Sequence, residues 1–367
     1  MVLQTQYEHH SASQDNTPSR TATRKNNRFY CMVPFIWSPK YLPSYEAIHA
    51  TWGKRCDVLR FMIDPIVGDN ETGYLDLRQN NIITKNYKLP DDVVVITDMQ
   101  RPWNACTGSE NCRNIWEKVW RSLLWIQTNN GDINSAEWFV KVDSDTFLFP
   151  ENARHYVEKQ NWSADDHHYF GHKLWHTDRP GQAPIVAGAA VFFSRATVNA
   201  LAPLFRDFEV RNSSQHHKQC VDAWTGGEEV VTAICLKKLN ISAHHVLDDM
   251  GNELISILAV DEVLGMRRGD GRRINKVNQF WYWKKKPVTH PETGKEMHLC
   301  CGERPIAFHG YKDPNWLYKI EYELYMEGVP YNVSDDWKEL NWINTNQTID
   351  YFERVRKAMV KQTEMHV

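Results

Sequence analysis

The chain has 367 residues, 42% of them hydrophobic, and a formal net charge of -3. That length can bury one large α/β domain or two smaller ones. The near-balanced charge, without a sustained basic stripe, argues against nucleic acid as the main partner. The short runs Arg267-Arg268, Arg272-Arg273 and Lys284-Lys285-Lys286 read as solvated loops. The eight cysteines contain no CxxC pair, so structural disulfides are the better reading than zinc, and disulfides imply an oxidising compartment. N-x-S/T sequons at Asn70, Asn161, Asn212, Asn240, Asn332 and Asn346 agree with that compartment. The 15 tryptophans serve either as core or as flat faces for sugar rings.

Residues 1–27 are polar and read as a disordered stem or linker. They hold neither the roughly 18 apolar residues of a membrane span nor a signal-peptide core, so an anchor is expected to be missing from this chain. The fold is expected to start at Arg28, with a strand over residues 28–33 stopped by Pro34. Ser44 caps an expected helix to about Lys54, and Val58–Ile63 and Val93–Ile96 are further strands. Ile115, Val119, Leu123 and Ile126 recur at helical spacing over Asn114–Thr128, with Trp116 and Trp120 beside them. Trp138–Val142 is a strand ending in Asp143-Ser144-Asp145. Strands are expected over Ile185–Phe193 and Ile306–His309, and helices over Ala196–Phe208, Gly227–Lys238 and the stretch after Tyr318. Helices alternating with short apolar strands indicate an α/β sheet.

Asp143 and Asp145 stand at a strand end, where ligands gather in such sheets. Two carboxylates there can hold a hard divalent cation, which can neutralise a diphosphate leaving group; a turn or helix cap is the competing reading. His309 ends another apolar strand and becomes a credible third ligand beside them. Glu228-Glu229 opens an apolar helix, where acids suit the helix dipole, and either one could serve as a general base. Phe280-Trp281-Tyr282-Trp283 reads as a core strand or as a platform for a sugar.

Taken in order, these segments resemble a known family. Ala50-Thr51-Trp52-x-x-Arg55-Cys56, Trp138–Phe147 with its D-x-D, Ala187–Ser194, Glu228-Glu229-Val230, Phe280–Trp283, Cys300-Cys301, Phe308-His309 and Glu321–Tyr325 are similar to the core 1 β1,3-galactosyltransferases of glycosyltransferase family 31. The likeness covers roughly residues 28–326. It implies a GT-A fold with a mixed central sheet flanked by helices, in one catalytic domain over 28–330 with a peripheral extension over 331–367. It further implies Mn²⁺, UDP-galactose as donor, and inverting transfer to O3 of a GalNAc α-linked to Ser or Thr of a glycoprotein. Asp143, Asp145 and His309 would hold the metal, and Glu229 would be the base. Pro34 and Lys118 would lie near the nucleotide, and Gly188 and Trp281 near the substrate. The implied disulfides are Cys31–Cys56, Cys220–Cys235 and Cys300–Cys301, leaving Cys106 and Cys112 to each other. The implied setting is the Golgi lumen behind a type II anchor, and a homodimer fits such a family. Departures from the family pattern are Glu229 in place of Asp, Ala187 and Ala190 in place of Gly, Gly310 in place of Tyr, and a longer segment between residues 64 and 92. Two alternatives remain at this stage: a fringe-like GlcNAc transferase, and a non-catalytic chaperone or lectin-like relative.

Overall fold

A computed structural model describes residues 27–78, 88–100, 114–174, 184–206, 228–259, 302, 304–322 and 325. Seven strands form the main sheet. In chain order they are β1 (Phe29–Phe35), β2 (Val58–Ile63), β5 (Val93–Val95), β6 (Trp138–Val142), β8 (Tyr169–Leu174), β9 (Ile185–Ser194) and β10 (Ala243–His245). Between them, β3 (Ile66–Asp69) and β4 (Gly73–Asp76) make a hairpin. A three-stranded sheet is built from β7 (Thr146–Leu148), β11 (Ile255–Ser256) and β12 (Ala307–His309). The spatial order of the main sheet is β10-β8-β9-β6-β1-β2-β5. Only β9 runs antiparallel to its neighbours. This is the mixed sheet that the resemblance implies.

The helices are α1 (Leu42–Ala50), α2 (Asn114–Thr128), α3 (Asn130–Ile133), α4 (Pro150–Lys159), α5 (Arg195–Leu201), α6 (Glu228–Lys238) and α7 (Asn315–Glu321). Alternate residues of each strand point to opposite faces. Phe29, Cys31, Val33 and Phe35 enter one core with Trp138, Val140 and Val142, while Tyr30, Met32 and Phe139 enter another with the apolar side of α2. Both faces are covered, so the inner strands read as unbroken apolar runs rather than as alternation.

Several boundaries differ from the sequence expectation, each for a local reason. Pro34 does not stop β1, which continues to Phe35. Beyond Met32, β1 has only β2 beside it, so a residue without an N–H is tolerated there. α1 starts at Leu42, with Pro43 in its first turn rather than a Ser44 cap, and ends at Ala50; a 3₁₀ turn over Trp52–Arg55 follows. α5 ends at Leu201 because Pro203 cannot continue it, and the chain goes on as a 3₁₀ turn. On α2 the buried face begins at Trp116; Ile115 is exposed. Asn27, placed in the stem by its composition, is buried, and its side-chain oxygen accepts a hydrogen bond from Trp138 Nε1 at 3.1 Å.

Cys31 and Cys56 form the expected disulfide. Cys235 is also disulfide-bonded; its expected partner Cys220 lies outside the described residues. So do Cys106, Cys112, Cys300, Cys301, Trp281 and the rest of the aromatic run. Asn161 and Asn240 are exposed and take the left-handed conformation, at φ 52° and 59°. They follow α4 and α6, and there asparagine ends a helix at little strain. No helix among the described residues is long and apolar enough to cross a membrane.

The C-terminal elements are bolted on by a buried cation. Arg55 donates two hydrogen bonds to Glu321, at 2.7 and 2.8 Å, and its guanidinium stacks 3.9 Å from the Tyr325 ring centre. Glu151 lies 3.7 Å from Arg55 and accepts a short hydrogen bond from the Tyr325 hydroxyl. Replacing Arg55 with Met takes the buried cation from Glu151 and Glu321 and leaves Glu321 only the exposed Lys54, 2.8 Å away. The expected loss is about 3–5 kcal/mol of unfolding free energy, read from urea denaturation. Loss of the exposed partner in Lys54→Met is expected to cost under about 1 kcal/mol.

Candidate active site

Asp143 leaves β6 at the carboxyl edge of the main sheet, and Thr146 opens β7 in the small sheet. The intervening turn is held from both sides. The Asp143 N–H donates to Ala189 O at 3.4 Å, and the Thr146 hydroxyl donates to the same carbonyl at 3.0 Å. From the other side, the backbone N–H groups of Gly310 and Tyr311 donate to Asp145 O at 3.0 and 2.9 Å. Gly310 sits at φ 102°, a conformation that glycine adopts freely and a tyrosine would not.

This framing brings His309 onto the acidic turn. Its Nε2 lies 3.0 Å from Asp145 Oδ1 and 3.6 Å from Asp143 Oδ2. Its Nδ1 lies 3.1 Å from Ile257 O. A carbonyl accepts only, so Nδ1 carries a proton; Nε2 donates to Asp145 when the ring is protonated and offers its lone pair to the turn when the ring is neutral. One donor atom from each of Asp143, Asp145 and His309 falls within 4.8 Å of the others. All three side chains are partly open to solvent. Two carboxylates and an oriented imidazole at such a mouth suit a divalent cation. Burial pulls the His309 imidazole toward neutrality, but the hydrogen bond and charge of Asp145, with the charge of Asp143, outweigh it and raise its pKa. Burial likewise opposes ionisation of Asp145, yet His309 and Lys312 bring that carboxyl below its ordinary range.

Glu229 reaches the same place from the first turn of α6. A Cβ on Gly188 would lie 2.6 Å from Glu229 Oε1, 3.0 Å from Asp143 Oδ2 and 3.1 Å from Lys141 Nζ. Gly188 is therefore the bare spot on which three charged groups converge, and its missing side chain makes room for the longer Glu229. Ala187 and Ala190, which depart from the family pattern, are both buried, Ala190 completely.

The remaining expected positions fall as follows. Pro34 lies in β1, one residue before its end. Lys118 is buried in α2, where its ammonium pairs with Asp64 and donates to Phe35 O at 2.7 Å. It thus ties α2 to the ends of β1 and β2 and does not extend into solvent. Trp281 is outside the described residues.

One charged group, Lys141, was not foreseen as part of the site, and Glu228, read from the sequence as one of a pair offering a base, pairs with it instead. Lys141 is 3% exposed one residue before the end of β6, and Glu228 is 3% exposed at the start of α6. Lys141 Nζ is 2.7 Å from Asp143 Oδ1 and 3.4 Å from Glu228 Oε2, and it donates to Gly188 O at 3.3 Å. Burial opposes its charge, but Asp143, Glu228 and Glu229 together raise its pKa. Burial also raises that of Glu228, offset in part by Lys141. A lysine inside the otherwise apolar Trp-Phe-Val-Lys-Val was the available signal.

No protein-family model matches the chain. It is 25% identical over 310 residues to the curated glycoprotein-N-acetylgalactosamine 3-beta-galactosyltransferase 1 of Xenopus laevis, a match covering 84% of this chain and 78% of that one. The chain is a relative of that enzyme. The motif resemblance is thus matched by sequence likeness over most of the chain. Among solved structures, galactosyltransferase LgtC in complex with donor and acceptor sugar analogs overlaps 83% of this chain and 98% of its own, with 9% identity and a TM-score of 0.34. Mouse xyloside xylosyltransferase 1 overlaps 78% and 99%, with 9% identity and a TM-score of 0.33. Overlaps this loose decide nothing about the reaction.

Asp145→Asn removes one carboxylate charge from this cluster while keeping the side chain's shape. Direct titration of the purified variant with Mn²⁺ is expected to show affinity lowered by more than about tenfold, since even outer-shell losses reach that size, with an unchanged unfolding midpoint.

Proposed function

We propose that the chain is a metal-dependent, inverting glycosyltransferase of the GT-A fold that moves galactose from UDP-galactose to O3 of a GalNAc α-linked to Ser or Thr of a glycoprotein. The observation that carries this is the convergence of Asp143, Asp145 and His309 beside Glu229 over the bare Gly188, at the carboxyl edge of the sheet. The donor and acceptor classes follow from the relative's name and from the motif resemblance. The Cys31–Cys56 disulfide supports a secretory setting, and the Golgi lumen is the assignment that fits the resemblance.

Asp143, Asp145 and His309 would hold the cation, manganese in this proposal. When bound, it supplies charge neutralisation for the diphosphate and for the departing UDP oxygen. The chain's own residues do the rest. Glu229 accepts the proton of the acceptor hydroxyl as that oxygen forms its bond to the anomeric carbon. The bond from that carbon to the phosphate oxygen breaks on the opposite face, and UDP leaves with the electron pair. One displacement inverts the configuration, so no covalent sugar–enzyme intermediate is needed. Gly188 keeps the approach to Glu229 open. Lys118 and Asp64 keep the ends of β1 and β2, with Pro34, in register beside α2.

The test is UDP release by the purified protein with Mn²⁺, UDP-galactose and a GalNAcα-Ser/Thr glycopeptide. Release that requires metal and acceptor, stops with EDTA and yields a product heavier by one galactose is the expected result. No release with any UDP-sugar would point to a non-catalytic relative. In the same assay Gly188→Ala is expected to lower turnover by about 10²-fold, the scale of a 1 Å misplacement. The groups its methyl meets are the far ends of side chains, which can move aside, so its unfolding midpoint is expected to stay near that of the unaltered protein.

A further inference from the structure

Lys141 poses a physical question. Its neighbours Val140 and Val142 are fully buried, and a buried ammonium is expensive unless well paired. A valine or leucine would fill a central strand at less cost, so the charge itself has a use. By strand alternation Lys141 shares a face with Phe139, on the side that packs against α6. There it meets Asp143 at 2.7 Å, Glu228 at 3.4 Å and the carbonyl of Gly188 at 3.3 Å.

The two oxygens of Asp143 are thereby divided. Oδ1 is held by Lys141, and Oδ2 faces His309 and the bare α-carbon of Gly188. We propose that Lys141 is a positioning residue: it pins one oxygen of Asp143 so that the other is presented to the divalent cation. It also anchors Glu228, which fixes the first turn of α6 and with it Glu229. The inference rests on Asp143, Asp145 and His309 being the cation site.

The sign of one measurement separates this role from the alternatives. If Lys141 acted only as a nearby positive charge, its removal would draw a divalent cation more strongly. If it only filled space, its removal would change stability and leave the affinity of the folded protein alone. As a positioning residue, its removal frees Asp143 among uncompensated carboxylates and weakens binding. Loss of an outer-shell partner typically costs 10–100-fold in metal affinity.

The experiment titrates Mn²⁺ against the full chain, following free Mn²⁺ by electron paramagnetic resonance, with urea unfolding in parallel. Lys141→Met is the direct variant. Lys141→Met combined with Glu228→Gln removes the ammonium together with one carboxylate that it faces, so the buried charge stays balanced if the single variant does not fold. The expected result is binding weakened by about 10–100-fold in the folded variant. Equal or tighter binding overturns the proposal and leaves the cation site standing. Failure of the double variant to fold assigns Lys141 to stability alone and overturns it as well. If the unaltered chain does not bind Mn²⁺, the cation site falls and this inference falls with it.

Discussion

The turn from Asp143 to Thr146 is the constraint on which the rest of the site depends. It is the point at which the chain passes from the large sheet into the small one, and it is hydrogen-bonded by both. Ala189 in β9 holds it from one side, and the backbone after β12 holds it from the other. A turn gripped this way cannot rotate as a surface loop can. Its two carboxylates are therefore aimed before anything binds, which is how a site keeps its geometry without spending binding energy on order. His309 arrives through the same pairing, because β12 runs antiparallel to β7 and sets His309 opposite Thr146.

Buried charge is the second theme. Among the described residues, three of the buried cations tie separate parts of the fold together through carboxylates: Lys118 with Asp64, Arg55 with Glu321, and Lys141 with Asp143 and Glu228. Each joins elements that hydrophobic packing alone would leave free to slide. The first ties α2 to the end of β2, the second ties α7 to the turn after α1, and the third ties α6 to β6. Apolar contact supplies most of the stability of such a domain, but it is non-directional. The ionic pairs fix the register among the pieces.

Much of this was legible in the sequence where one kind of signal dominated. Val58–Ile63, Asn114–Thr128 and Trp138–Val142 match their expected bounds, because apolar runs and helical periodicity there meet no competing feature. The elements missed were those whose pattern is set by partners far away in the chain. β8 carries Gly171, His172 and Lys173 in its middle, all buried or nearly so by later segments, and so lacks an apolar run. β7 and β11 have three and two residues, too few to show a period. α4 is largely polar, and the β3–β4 hairpin is announced only by Asp69, whose carboxylate caps the turn through Thr72, and by Gly68, where any Cβ would collide with Gly73 O. At the site, Asp143, Asp145 and His309 carried a recognisable chemistry and spacing. Lys141 did not, because a charge inside a core takes its meaning from its neighbours, and those neighbours come from elements distant in sequence, such as α6 with Glu228.

The left-handed Asn161 and Asn240 have a practical consequence. Both precede strands, β8 and β10, that run parallel to β6, so both stand at the edge of the sheet where β6 begins, not where it ends in Asp143. Trp162, next to Asn161, packs against Trp138 at the first residue of β6 and confirms the placement. A dye, a tether or a solid support attached at either position would hold the molecule by its back, with the acidic mouth turned toward free solution. That edge is the natural handle for immobilising the protein while leaving its site open to large ligands.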